Sequence, residues 1–418
     1  MVESARNQPK RILTIDGGGV QGVLSLKLLE SLEARITSAD SPARNSKGER
    51  PSRLLDYFDM VAGTSTGAIV VGLLELGHSP SAILEMYKEF CPRVFRPTPF
   101  TWLMTLLRSK YSHAELKRYA LRFFGDVRLW QLPKDIMIVA RDMVRSESTF
   151  FTAFRQTESD EEVGPEDVYG TYKMMRLRDA VLASASAPTY FPPHDRFVDG
   201  AVGSFINSCL QAAIEALVYS APSAWENWIA NHPEQPPPVD LATWERKVQR
   251  YQPGNLIVYS FGTGHVKPLR TIKDVKQMRL WDWAKGISSE FMGDINEQQS
   301  QISSRYIDIL RGIPPTQVLT PSFRLHRYQL YLTPEGVNAI GGQWEDRLSS
   351  MELDDVRAIP IMEELGELMA RRIEAEGLWD EEETIEVPTP RPRARRIPNN
   401  VFVELGHRPL TQDTPKQF

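Results

Sequence analysis

The chain has 418 residues, 41% of them hydrophobic and 25% charged, enough to bury a large core as one domain with additions or as two domains. Its 54 acidic and 49 basic side chains leave a formal net charge of −5, which excludes a global field for nucleic acid or an anionic membrane, so any membrane contact must be local. Two cysteines, Cys91 and Cys209, are too few for a disulfide framework and read as buried thiols.

Met1 to Lys10 is polar and leads straight into a strand-like segment without the apolar stretch of a secretory signal, so a cytoplasmic location, peripheral to membranes at most, is expected. Arg11 to Ile15 reads as a short buried strand. A glycine cluster follows, and then Val23, Leu24, Leu26, Leu28, Leu29, Leu32 and Ile36 recur at helical spacing. After a polar loop from Thr37 to Pro51, a second strand–turn–helix unit is expected, with Tyr57 to Ala62 as strand and Ala68 to Leu76 as helix. The apolar stretch Met60 to Leu76 is interrupted by Gly63 to Gly67 and is too short for a bilayer core of roughly 30 Å.

Two such units predict an α/β fold with a largely parallel sheet. Ile136 to Ala140 and Leu256 to Phe261 read as further buried strands. Residues 221–254, rich in proline and tryptophan, read as an insertion, either part of a lid or packed on the body. The main domain is therefore expected over 10–350. A C-terminal amphipathic helix over 351–378, interrupted or kinked at Pro360, and a disordered tail over 379–418 carrying an arginine–proline run complete the chain. Lys110 to Ser112, with Trp102 and Leu103 to Leu107, forms either a membrane-facing patch or a buried helix.

Gly63-Thr64-Ser65-Thr66-Gly67 matches Gly-x-Ser-x-Gly between a predicted strand and helix. A serine on such a bend is exposed, its flanking glycines remove side chains that would clash, and the helix behind it adds partial positive charge. Asp16-Gly17-Gly18-Gly19-Val20-Gln21-Gly22 has two readings. One is a dinucleotide fingerprint presenting Gly17, Gly19 and Gly22, with Asp40 on the ribose, although Asp40 sits in a polar loop rather than at a second strand end. The other is an oxyanion hole, in which consecutive glycine N–H groups converge on developing negative charge.

The base is less obvious. In the order of an ordinary α/β-hydrolase triad it would be His265 or His326. The alternative is Asp199, in Phe197-Val198-Asp199-Gly200-Ala201, where Gly200 allows a tight turn.

The three motifs in this order, Asp-Gly-Gly-Gly-x-x-Gly at 16 to 22, Gly-x-Ser-x-Gly at 63 to 67 and Asp-Gly-Ala at 199 to 201, resemble the patatin-like phospholipase family. Ala183 to Pro192 and Ser260 to Gly264 add to the resemblance, which spans roughly Lys10 to Tyr331. The resemblance implies a three-layer α/β/α sandwich, Ser65 as nucleophile and Asp199 as its base. It also implies the amides of Gly17, Gly18 and Gly19 as the oxyanion hole, Gly22, Gly63, Gly67, Gly200 and Ala201 as motif positions, and no cofactor or metal. Phospholipids or other acyl lipids would be the substrates, reached by peripheral membrane contact. The competing expectations are a Ser-His-Asp carboxylesterase and a non-catalytic binding protein that kept the fold.

Overall fold

The computed structural model describes residues 9–96, 109–153, 174–219, 254–266 and 323–379, together with Tyr172, Tyr251, 276–277 and a strand at 402–405. The sequence-predicted insertion at 221–254 and the stretch Trp102 to Leu107 lie almost entirely outside these residues. Elements in chain order begin with β1 (Lys10–Ile15), α1 (Gly22–Thr37), β2 (Met60–Thr64), α2 (Thr66–Glu75), α3 (Pro80–Val94) and α4 (His113–Phe124). β3 (Asp135–Asp142), β4 (Glu147–Ala153), α5 (Leu177–Ser184), β5 (Phe197–Asp199) and α6 (Cys209–Tyr219) follow. β6 (Leu256–Phe261), β7 (His265–Val266), β8 (Arg324–Leu332), α7 (Pro334–Ala339), α8 (Ile359–Ala375) and β9 (Phe402–Leu405) complete the order.

The strands form one sheet in the order β4-β3-β2-β1-β6-β8-β7, with β5 added beside β3 and β9 beside β8. β3, β2, β1, β6 and β8 are mutually parallel, whereas β4 and β5 run antiparallel to β3. Burial on both faces explains why these strands read as continuous apolar runs. Within β1, Leu13 and Ile15 join the core under α1, α2, α3 and α8, while Ile12 joins a second core with Cys209, Ala212, Ala213 and Ala216 of α6. The same division separates Val61 from Met60 and Ala62, and Ile138 from Met137 and Val139. Two cores on opposite faces of one sheet make three layers, the sandwich that the motifs implied.

Local signals set the helix ends. Ser79 Oγ accepts the Ala82 N–H ahead of Pro80 in α3, and Ser112 Oγ accepts the Ala114 N–H in α4. α2 is buried on every side, as its unbroken apolar sequence requires.

Three expectations shift. The second strand starts at Met60 rather than Tyr57, because Leu54–Tyr57 form a 3-10 turn. Pro360 does not kink the C-terminal helix but occupies its first turn, where no backbone N–H is needed. Within the tail expected to be disordered, Trp379 is buried against Phe261 and Tyr328, and Phe402–Leu405 pair with β8 in parallel.

Candidate active site

The register of the three central strands assembles the site. Ile15 pairs with Gly63, so the glycine loop after β1 and the serine turn after β2 leave the sheet side by side at its carboxyl end. Thr64 pairs with Val139 of β3, and Ala140 pairs with Asp199 of β5, which brings the aspartate to the same level from the other side.

Ser65 has φ 56° and ψ −120°, an uncommon conformation for a residue with a side chain and one that costs about 1–3 kcal/mol. Its surroundings hold it there. The Ser65 N–H donates to Ser184 Oγ at 2.8 Å, and Ser184 Oγ donates to the Val139 carbonyl at 2.6 Å. Ala68 and Ile69 N–H both donate to the Ser65 carbonyl, closing the first turn of α2. Gly67 lets this turn sit against β1, since a Cβ there would lie 2.0 Å from the Ile15 carbonyl oxygen. Gly67→Ala should therefore cost about 1–3 kcal/mol in a denaturant titration, because the obstacle is sheet backbone. An unchanged midpoint would mean that α2 can back away from the sheet.

Asp199 is 3% exposed. Burial pushes its carboxyl up from 3.8 to about 6, against the opposing influence of the nearby Ser65 hydroxyl and of the Ala201 N–H, which donates to it at 2.9 Å. Gly200 and Ala201 form the 3-10 turn that aims that amide back at the carboxylate. The Asp199 N–H donates to the Ser186 carbonyl at 3.0 Å, and Ser186 Oγ lies 3.0 Å from His113 Nε2.

The glycine loop departs from expectation at one position. Gly17 lies against Ser65, but its N–H donates to the Ile206 carbonyl at 3.0 Å and its carbonyl accepts from Thr263 Oγ1 at 2.7 Å, so its amide is unavailable to a substrate. No partner among the described residues takes the N–H of Gly18 or Gly19. Gly19 has φ +56°, and a Cβ there would lie 2.1 Å from the Leu353 carbonyl oxygen, which itself accepts the Val20 N–H. Gly22 opens α1 behind the loop.

Asp16, the first residue of the loop motif, is fully buried and forms a two-pronged ion pair with the equally buried Arg327 of β8, at 2.9 and 2.5 Å. Arg327 also donates to Ser260 Oγ at 2.8 Å.

A narrow apolar cavity of about 40 Å³ opens beside Ser65. Gly19, Tyr87, Phe90, Cys91, Val94, Leu116, Phe191 and Leu353 contribute to its walls. Lys110 holds the Leu353 segment through Asp354 at 2.5 Å, with Tyr111 on the same carboxylate. The described part of the sequence-predicted membrane patch is thus an internal clamp, with Tyr111 itself buried.

The histidine alternatives do not reach this place. His326 faces Tyr259, which faces Leu13, which faces Val61, so three strand spacings, about 14 Å, and four residues of strand separate it from Ser65. Burial also drives its pKa down to about 3. His265 lies on β7, one strand further out. Asp40 is exposed on the turn after α1, not at a strand end, so the dinucleotide reading has no ribose contact there.

Ser184, Ser186, His113, Thr263 and Arg327 were not predicted as site residues. Ser184 and Ser186 belong to the Ala183 to Pro192 segment that supported the resemblance, so a signal existed for them. Arg327 stands 311 residues from its partner, and nothing local marks it.

The site thus sits on an α/β/α sandwich, with a strained serine at a strand-to-helix turn. Residues 13–207 match the family model described as patatin-like phospholipase. "Patatin-like protein 1" of Arabidopsis thaliana is 34% identical over 197 residues, 44% of this chain and 43% of the relative. "Patatin-17" of Solanum cardiophyllum is 29% identical over 190 residues, with 44% and 43% covered. "Probable inactive patatin-3-Kuras 1" of Solanum tuberosum is 27% identical, with 44% and 45% covered. The match thus spans less than half the length of these curated relatives.

Proposed function

We propose that the protein is a lipid acyl hydrolase that cleaves ester bonds of phospholipids or other acyl lipids through an acyl-Ser65 intermediate. The observation that carries this reading is the buried Asp199 carboxyl, pushed up to about 6 by desolvation beside a serine held in a strained turn. A carboxylate with that pKa is mostly ionised at neutral pH yet far more basic than an ordinary aspartate.

Asp199 takes the proton of Ser65 as Oγ attacks the ester carbonyl carbon. The carbonyl oxygen becomes an oxyanion and is met by the N–H groups of Gly18 and Gly19, a contribution of about 3 kcal/mol per donor. Collapse breaks the carbon–oxygen bond to the leaving alcohol, which receives the proton from Asp199. Water then attacks the acyl-Ser65 ester as Asp199 accepts its proton, the acyl carbon–Oγ bond breaks, Asp199 returns the proton to Ser65 Oγ, and fatty acid leaves.

The acyl chain occupies the apolar cavity. At about 40 Å³ that cavity holds only a few water molecules, so a chain enters as Leu353 and the α3 side chains move apart. Among the described residues no helix is long and apolar enough to cross a membrane.

Incubation with a fluorophosphonate probe, followed by mass spectrometry of the peptides, tests the assignment. Ser65 should carry the label, and Ser65→Ala should abolish it. Label on another residue, or none on folded protein, would remove Ser65 as nucleophile. His265→Asn and His326→Asn should keep most activity, whereas a triad enzyme would lose several orders of magnitude.

A further inference from the structure

Among the described residues, seven large apolar side chains are strongly exposed, and three of them, Met143 at 54%, Val144 at 74% and Val202 at 46%, gather at one end of the sheet. Met143 and Val144 form the tip of the β3–β4 hairpin. Ala140 is level with Ser65 through the pairing of Val139 with Thr64, so the tip projects about 10 Å past the nucleophile at the carboxyl end of the sheet. Val202 follows Asp199 by three residues. Its turn packs across the same hairpin, with Ser148 Oγ donating to the Gly203 carbonyl at 3.1 Å.

The tip is held in shape. Asp142 Oδ1 accepts the N–H groups of Val144 and Arg145 at 2.9 and 3.0 Å, and Arg141 donates to the Ser146 carbonyl at 2.5 Å. The charges around it alternate in sign. Arg196 lies 3.0 Å from the buried Asp142, Arg145 lies 3.6 Å from the exposed Glu147, and Asp195 is exposed nearby. Among the described residues Arg141 forms no ion pair with a carboxylate.

We propose that this hairpin tip with Val202 is the surface by which the protein docks on a phospholipid bilayer, inserting Met143, Val144 and Val202 among the headgroups. The proposal rests on the lipid-hydrolase reading for its occupant, since a substrate held in a bilayer must be met from the end of the sheet where Ser65 opens. Zwitterionic surfaces fit best. Paired charges at the rim match a headgroup layer carrying both signs, and the protruding apolar side chains supply the affinity. An apolar tip flanked by charged residues on a rigid hairpin is the form that bilayer insertion requires, and a soluble turn gains nothing from it.

Flotation of the full chain with phosphatidylcholine vesicles, and with vesicles of phosphatidylcholine and phosphatidylserine in equal parts, tests this without reference to catalysis. Ser65→Ala protein is used so that the surface stays intact. Met143→Ser, Val144→Ser and Val202→Ser together should lower binding to both vesicles about tenfold or more. In the active chain the same three changes should slow release of fatty acid from vesicles while leaving hydrolysis of a dissolved short-chain ester unchanged. Unaltered flotation overturns the proposal, and so does a loss confined to phosphatidylserine vesicles or an equal loss on both substrates. Failure of the wild type to hydrolyse any ester would instead bear on Ser65 and leave the flotation result standing.

Discussion

Asp199→Asn is expected to lower kcat by about 10²- to 10⁴-fold and, in the same protein, to raise stability at neutral pH. Both effects come from the burial that makes the carboxylate basic. Desolvation is the largest influence on Asp199 and lifts it from 3.8 to about 6. The folded protein therefore binds that proton more tightly than the unfolded chain. Stability from this group is fully present below about pH 4 and is lost as pH rises through about 6, a cost of roughly 3 kcal/mol at pH 7. Asparagine keeps an oxygen for the Ala201 N–H and carries no charge to desolvate. Chemical denaturation of wild type and variant at pH 5 and pH 8 measures the difference, which should be larger at pH 8. Wild-type kcat/KM should fall as pH drops through about 6, because the protonated acid cannot take the Ser65 proton. Equal stability at both pH values, or a rate with no acid limb, would show that Asp199 is an ordinary carboxylate.

Arg327→Met should cost about 3–5 kcal/mol, since it strands the Asp16 carboxylate without its counter-charge in a fully buried position. The loss extends to chemistry, because Asp16 immediately precedes the glycine loop and its side chain fixes where that loop leaves β1. Fluorophosphonate labelling of whatever folded protein remains should slow in parallel with kcat. Removing both charges, as in Arg327→Met with Asp16→Leu, should recover most of the stability, because the replaced pair no longer leaves a naked charge. If the double variant is as unstable as the single one, the packing of the arginine matters more than its charge.

Much of the architecture was readable from the chain alone, for identifiable reasons. β1 and β2 are buried on both faces and lead into glycines, so each announced a strand, a tight turn and a helix. The serine turn was legible because its conformation demands small residues at fixed offsets from Ser65. The partition of the glycine loop was not, since Gly17 donates to Ile206, on a segment nearly two hundred residues away. His326 looked like a base because its position in the chain order was right. Only the strand register shows that it belongs to the wrong part of the sheet. The clamp of Lys110 and Tyr111 on Asp354 was equally hidden, as the pattern that suggested a surface patch is also the pattern of side chains reaching across to a distant loop.

The placement of Arg327 bears on the order in which the chain can fold. β1 lies between β2 and β6, and Asp16 pairs with Arg327 on β8, beyond the stretch that matches the family model. Ribosomes deliver the serine, the glycine loop and the aspartate long before the strands that close β1 from its other side. A nascent chain that has passed Asp199 already contains Ser65 and the glycine loop, yet β6, which pairs with β1, and Arg327, which pairs with Asp16, have still to be made. The frame around the serine turn and the glycine loop therefore closes only after β6 and β8 have emerged.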